Sequence, residues 1–112
     1  MQGVKPLFLI IKMKQIKLKR IYKIKKEKQI LKDKKLLGFV DYYHKIIYLK
    51  KGKSEEKTLY HEIAHTLIYE MSAGSKIYKT LCFLEKLGND ENFIDFFAGL
   101  LKTSFKIKYH RR

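Results

Sequence analysis

The run His61-Glu62-Ile63-Ala64-His65 sets two imidazoles four residues apart with a carboxylate between them. On an α-helix, residues four apart share a face, so this spacing predicts both rings turned toward one metal ion. Glu62 stands one step round, within reach of a water on that ion. This is the zinc-hydrolase arrangement: two histidine ligands, with a carboxylate as general base. Glu62 would take the proton of the attacking water and pass it to the leaving amine. Histidine is costly to bury alone, so two on one face of a packed helix ask for a partner. The plain alternative is two half-exposed histidines with Glu62 toward solvent.

Zinc in such a site takes a third protein ligand and leaves its fourth position to water. The extended motif with a third histidine is closed, because it needs glycine at 68 and histidine at 71, where the chain has Ile68 and Met71. The downstream acids are Glu70, Glu85, Asp90, Glu91 and Asp95. Glu91 and Asp95 are four apart, on one face of an otherwise apolar helical stretch. Glu91 is the favoured third ligand. Asp95 would then accept a hydrogen bond from the far ring nitrogen of a ligand histidine. The two roles can be exchanged, and helix capping is the plain alternative for both. His44, in a turn, and His110, in a basic tail, are weaker ligands. Tyr42, Tyr43, Tyr60 and Tyr69 are all near enough in sequence to donate to an oxyanion.

These side chains need a helix under the motif, and the sequence supplies one from about Glu55 to Tyr69. It should be amphipathic, start at a Ser54 hydroxyl cap followed by Glu55 and Glu56, and stop at Ser72–Ser75. A second helix fits Lys76 to Leu87, closed by Gly88, and a third runs from Glu91 to about Lys102 with Asn89 or Asp90 as cap. Upstream, residues 14–26 alternate apolar and basic with a phase break near Arg20-Ile21, which reads as strand with a bulge or turn. Lys25–Lys35 holds a turn or weak hairpin. Leu36–Tyr43 and Lys45–Lys50 read as two more strands, the second best placed to pair with an extended substrate. Phe105, Ile107 and Tyr109 alternate as a short strand would. The prediction is α+β: N-terminal antiparallel strands, then the HExxH helix and two further helices.

The chain has 112 residues, 46% hydrophobic, which suits one domain: a basic strand-rich part, 1–53, and a helical part, 54–112. The lone Cys82 excludes an internal disulfide and, among Leu81, Phe83 and Leu84, reads as core. The apolar run from Leu7 to Ile11 is too short to span a membrane, and a cytoplasmic location is expected. The net charge of +15 is uneven: residues 1–53 carry 17 Lys/Arg against 3 acids, whereas residues 54–112 carry 9 against 8. The basic half could make nonspecific nucleic-acid contacts or simply be solvated. With only Arg20, Arg111 and Arg112 as arginines, sequence-specific base reading is disfavoured.

The runs Gly38-Phe39-Val40-Asp41-Tyr42, Lys45-Ile46-Ile47-Tyr48-Leu49, Thr58-Leu59-Tyr60-His61-Glu62-Ile63-Ala64-His65, and Glu91 through Leu101 together resemble small zincin-like metallopeptidases. They look most like the ImmA/IrrE-type proteins of phages and mobile elements. The resemblance covers roughly residues 14–103, and HExxH is its one specific motif. It implies zinc, with His61 and His65 as ligands and Glu62 as base, in a minimal zincin-like domain acting on a specific protein. The family's usual acidic ligand falls four residues before the Phe of an "FA" pair, which is Phe93 here, so Glu91 and Asp95 flank the expected position. Two other readings stand beside it: a protease acting on proteins bound to nucleic acid, as SprT-like zincins do, and a non-catalytic metal-containing binding or inhibitor protein.

Overall fold

The computed structural model describes residues 14–52 and 54–104. Strands come first: β1 (Gln15–Leu18), β2 (Arg20–Glu27), β3 (Gly38–Asp41) and β4 (Ile46–Lys50). Three helices follow: α1 (Glu55–Gly74), α2 (Tyr78–Gly88) and α3 (Glu91–Ser104). The α+β class is as expected. The tail strand expected around Phe105–Tyr109, and His110, lie outside the described residues.

The sheet is mixed, which corrects the antiparallel expectation. Its order is β1-β2-β4-β3, with β2 and β4 parallel and the two outer pairs antiparallel. The β3–β4 hairpin docks on β2 through its second strand. That choice puts Ile47 and Leu49 at the centre of the sheet, both 0% exposed. Alternation along a strand says which side chains face inward but not which neighbour the strand takes. The consequence for function is direct. Both edges of β4 are already paired, so Lys45–Lys50 has no edge left to pair with an extended peptide; among the described residues the sheet's edges are β1 and β3.

The phase break in the first strand is a hairpin centred on Lys19, which has φ 69°, with Leu18 opposite Arg20. A second turn at Leu31 and Lys32, both at positive φ, links β2 to β3. Ser54 precedes α1 but makes no side-chain capping bond. The Glu55 carboxylate instead accepts the Gly52 N–H at 3.0 Å. Asp90 does cap α3, accepting the Phe93 N–H at 3.1 Å.

α1 is not a one-sided amphipathic helix. Its buried residues include Thr58, Leu59, Tyr60, Glu62, Ile63, Ala64, Thr66, Ile68 and Glu70, distributed around the helix. The sheet packs on one side of it and α2 and α3 on the other. Leu59, Ile63 and Ile68 join Tyr22, Ile24, Val40, Ile47 and Leu49 of the sheet and Leu84 and Ile94 of α2 and α3 in one core. Each such aliphatic side chain contributes about 1.5–3 kcal/mol by leaving water. α1 runs a turn beyond Tyr69 to Gly74, with Ser75 at its C-terminal cap, and so ends within the expected stop at Ser72–Ser75. Cys82 is half-buried and not among the core residues, which corrects the expectation that it is core. Among the described residues, no helix is long and apolar enough to cross a membrane.

Candidate metal centre

The central position of α1 means that His61 and His65 cannot turn into solvent freely. Their rings lie 4.8 Å apart between centroids, on the flank of α1 that meets the start of α3. There the Nε2 atoms of both rings face one carboxylate. His61 Nε2 lies 3.2 Å from Glu91 Oε1, and His65 Nε2 lies 3.4 Å from Glu91 Oε2. His61, His65 and Glu91 each offer one ligand atom within a mutual 4.8 Å. A tetrahedral zinc ion with bonds of about 2.0–2.1 Å holds its donors roughly 3.3 Å apart, so the spacing of these groups fits that ion.

The outer nitrogen of His61 is also engaged, with Nδ1 3.0 Å from Asp95 Oδ1. With its proton on Nδ1, donated to the Asp95 carboxylate, a neutral His61 would offer the Nε2 lone pair to a metal ion. His65 has a backbone hydrogen bond to Gly88, at the end of α2. Burial lowers the pKa of His65 against the opposing pull of Glu91. The sequence pattern placed Glu91 and Asp95 on the apolar face of α3, and the structure corrects this. Their side chains are 65% and 67% exposed, at the rim. Phe93, Ile94, Phe97 and Ala98 form the face that enters the core.

Glu62 points the other way round α1, toward the free strand β3. It is 9% exposed. Burial pushes its carboxyl pKa up to about 7, with His61 opposing and Glu91 adding to the rise. Gly38 makes room for it: a Cβ at that position would stand 2.7 Å from Glu62 Oε2 and 2.5 Å from Thr58 Cγ2. Two clefts flank the group. One, of about 710 Å³, is lined by Tyr42, Tyr69, His65 and Glu91 among others. The other, of about 360 Å³, is lined by Gly38, Thr58, His61 and Glu62.

The four tyrosines separate by position. Tyr43 is 85% exposed in the β3–β4 turn and Tyr60 is in the core. Tyr69 hydrogen-bonds Arg20 and stacks on Tyr42 with centroids 4.1 Å apart. Tyr42 lines the larger cleft with His65 and Glu91, and burial together with the charge of Glu62 pushes its pKa up to about 12, leaving a protonated phenol. His44 is spent elsewhere, its Nδ1 2.8 Å from Asp41 Oδ2. Glu70 also belongs elsewhere: it reaches Arg20 and Tyr22 on the strands. No signal in the sequence marked that triad, because its members are about fifty residues apart and bear no motif. Comparison of the chain with protein-family models, curated proteins and solved structures finds no match.

Proposed function

We propose that the protein is a zinc-dependent peptidase of zincin-like type, acting on a specific protein. The observation that carries this reading is the convergence of His61 Nε2, His65 Nε2 and the Glu91 carboxylate; Glu62, next along α1, lines a cleft with His61. A bound zinc ion would supply an acidified water and polarise the scissile carbonyl. His61, His65 and Glu91 would hold it. Glu62, in a dry slot against Gly38, accepts the water proton on its carboxylate and returns it to the leaving nitrogen. The Tyr42 hydroxyl donates to the oxygen that gains charge. The free edge of β3 holds an extended peptide by backbone pairing, leading it past Glu62.

Elemental analysis tests the core of this. The full chain should hold stoichiometric zinc, His61→Ala and Glu91→Ala should lose it, and His44→Ala should keep it. Metal absent from the wild type, or retained by all three variants, would leave the contacts of Glu91 as histidine–carboxylate ion pairs and no more. Asp95→Asn should weaken zinc binding about 10–100-fold, because the His61 tautomer is no longer held by a charged acceptor. Competition with a chromophoric chelator measures it, and unchanged affinity would remove Asp95 from the site.

Gly38→Ala is expected to act on the base and not on the metal. The added methyl overlaps Thr58 and Glu62, so the fold should lose about 1–3 kcal/mol in denaturant unfolding. Peptide hydrolysis should fall while zinc content holds. Loss of zinc instead would mean that Gly38 shapes the ligand set.

A further inference from the structure

The metal centre uses one side of the molecule. The opposite side is the outer face of the sheet. Inward positions Leu18, Tyr22, Ile24, Val40, Ile47 and Leu49 enter the core. Their alternates therefore point away from the helices. Among the described residues no element packs on that outer face: of the helices, only α1 touches the sheet, on its inner side.

The register places the outward residues in a compact array. Lys25 is opposite Tyr48, which is opposite Phe39; Lys23 is opposite Ile46; Lys17 is opposite Ile21. Phe39 and Tyr48 form a ring pair with centroids 6.2 Å apart. Ile21 is 52% exposed, and Lys17, Lys23 and Lys25 are exposed. None of these three lysines makes an ion pair among the described residues. Of the acids near them, Asp41 is occupied by His44, and Glu27 stands two residues from Lys25 on the same face, opposite Lys50, without an ion pair to Lys25.

The exposed lysines share one sign and repel one another, and the half-buried rings of Phe39 and Tyr48 keep apolar surface in water unless a partner covers them. The partner must bring negative charge at a spacing of several ångströms and flat apolar surfaces to lie on rings. We infer that the outer sheet face binds single-stranded nucleic acid, with bases on Tyr48 and Phe39 and phosphates on Lys17, Lys23 and Lys25. A duplex buries its bases and offers nothing to the rings. An acidic peptide satisfies the lysines but not the aromatic pair. Recognition is tolerant of sequence, since among the described residues no arginine fork points from this face, Arg20 being held by Glu70. The surface and its test are independent of zinc and of Glu62.

The chain has no tryptophan, so Tyr48→Trp turns the full protein into a single-site reporter. Titration with oligo(dT) or oligo(U) should quench its emission in a saturable way. In anisotropy measurements with a labelled oligo(dT), Tyr48→Leu should weaken binding about tenfold. The triple change of Lys17, Lys23 and Lys25 to glutamine should flatten the dependence of log affinity on log salt by about 2, near 0.7 for each phosphate no longer neutralised. Circular dichroism checks that each variant is folded. Changing Lys32, Lys34 and Lys35 to glutamine, at the β2–β3 turn, should matter less than the sheet triple. The proposal is overturned if wild type fails to bind at low salt, if the turn triple outweighs the sheet triple, or if Tyr48→Trp emission is unmoved on binding. Equal competition by poly-glutamate would also overturn it, in favour of an acidic protein.

Discussion

Replacing Glu62 by glutamine is expected to cut peptide hydrolysis by about 10³-fold while zinc stays bound. The substitution is close to isosteric, so the side chain still fits the slot that Gly38 leaves open. What it removes is the carboxylate proposed to take the proton from water. It also replaces a buried carboxylate, whose charged form burial disfavours, with a neutral amide, so the fold should not suffer. The measurement pairs mass-spectrometric cleavage of a peptide library with zinc content of the same preparations. Undiminished cleavage with metal in place would remove Glu62 as base. Neither protein cleaving anything, with zinc bound to both, would favour a metal-containing binding protein.

The second large effect concerns stability and lies away from the site. Glu70, near the end of α1, is 3% exposed. Its carboxylate accepts from Tyr22 Oη at 2.5 Å and from Arg20 Nε at 3.0 Å. This triad ties β2 to α1 where the sheet begins. Glu70→Ala strands the Tyr22 hydroxyl, which belongs to a fully buried residue, and should cost about 3 kcal/mol. For a domain of this size that lowers the melting midpoint by more than about 10 °C. A midpoint within about 2 °C of wild type would show that water replaces the carboxylate at no cost. Tyr22→Phe removes a single bond and should cost about 1–1.5 kcal/mol.

The triad also sets a pH signature. Burial pushes the Glu70 carboxyl up, but hydrogen bonds from Arg20 and Tyr22 and the charges of Arg20 and Lys19 hold it below its ordinary value on balance. A carboxyl depressed in the folded state binds fewer protons there than when unfolded. Its stabilisation is complete above the unfolded value near about 4.3 and is lost as pH falls through the folded one. Tyr22 works at the other end. Burial, then the bond to Glu70, raise its phenol. Its contribution is complete below about 10 and fades as pH rises through the folded value. Wild type should therefore lose stability at both extremes relative to Glu70→Ala, with the gap between the two proteins closing in acid. A gap independent of pH from about 3 to 7 would contradict this.

How much of this was legible in the chain varies with the range of the interaction. Strand and helix order followed from period-2 alternation before Gly52 and helical spacing after Ser54, because those periods are local. The sheet's parallel pair was not legible, since docking β4 instead of β3 on β2 changes no local pattern. That one choice moved the free edge to β3 and made Gly38 part of the slot for Glu62. The stop of α1 was legible in Ser72–Ser75, but what holds its last turns was not: the contacts of Glu70 and the packing on both sides do not show in a window of a few residues.

For the candidate site, His61 and His65 share a flank of α1 by helix geometry alone, with Glu62 one step round, and that much the sequence determined. The sequence left open which acid faces which ring nitrogen, with Glu91 and Asp95 exchangeable. Tertiary packing sets Glu91 against the Nε2 atoms of both histidines and Asp95 against Nδ1 of His61. It does so because the crossing of two helices places the first turn of α3 over His61 and His65. Packing also decided that Tyr42 and Tyr69 line the cleft, while Tyr43 is exposed and Tyr60 is in the core. Residues linked by one helix are placed by backbone geometry. Residues some thirty positions apart are placed by which apolar faces bury each other, and that sum is settled only by the whole fold.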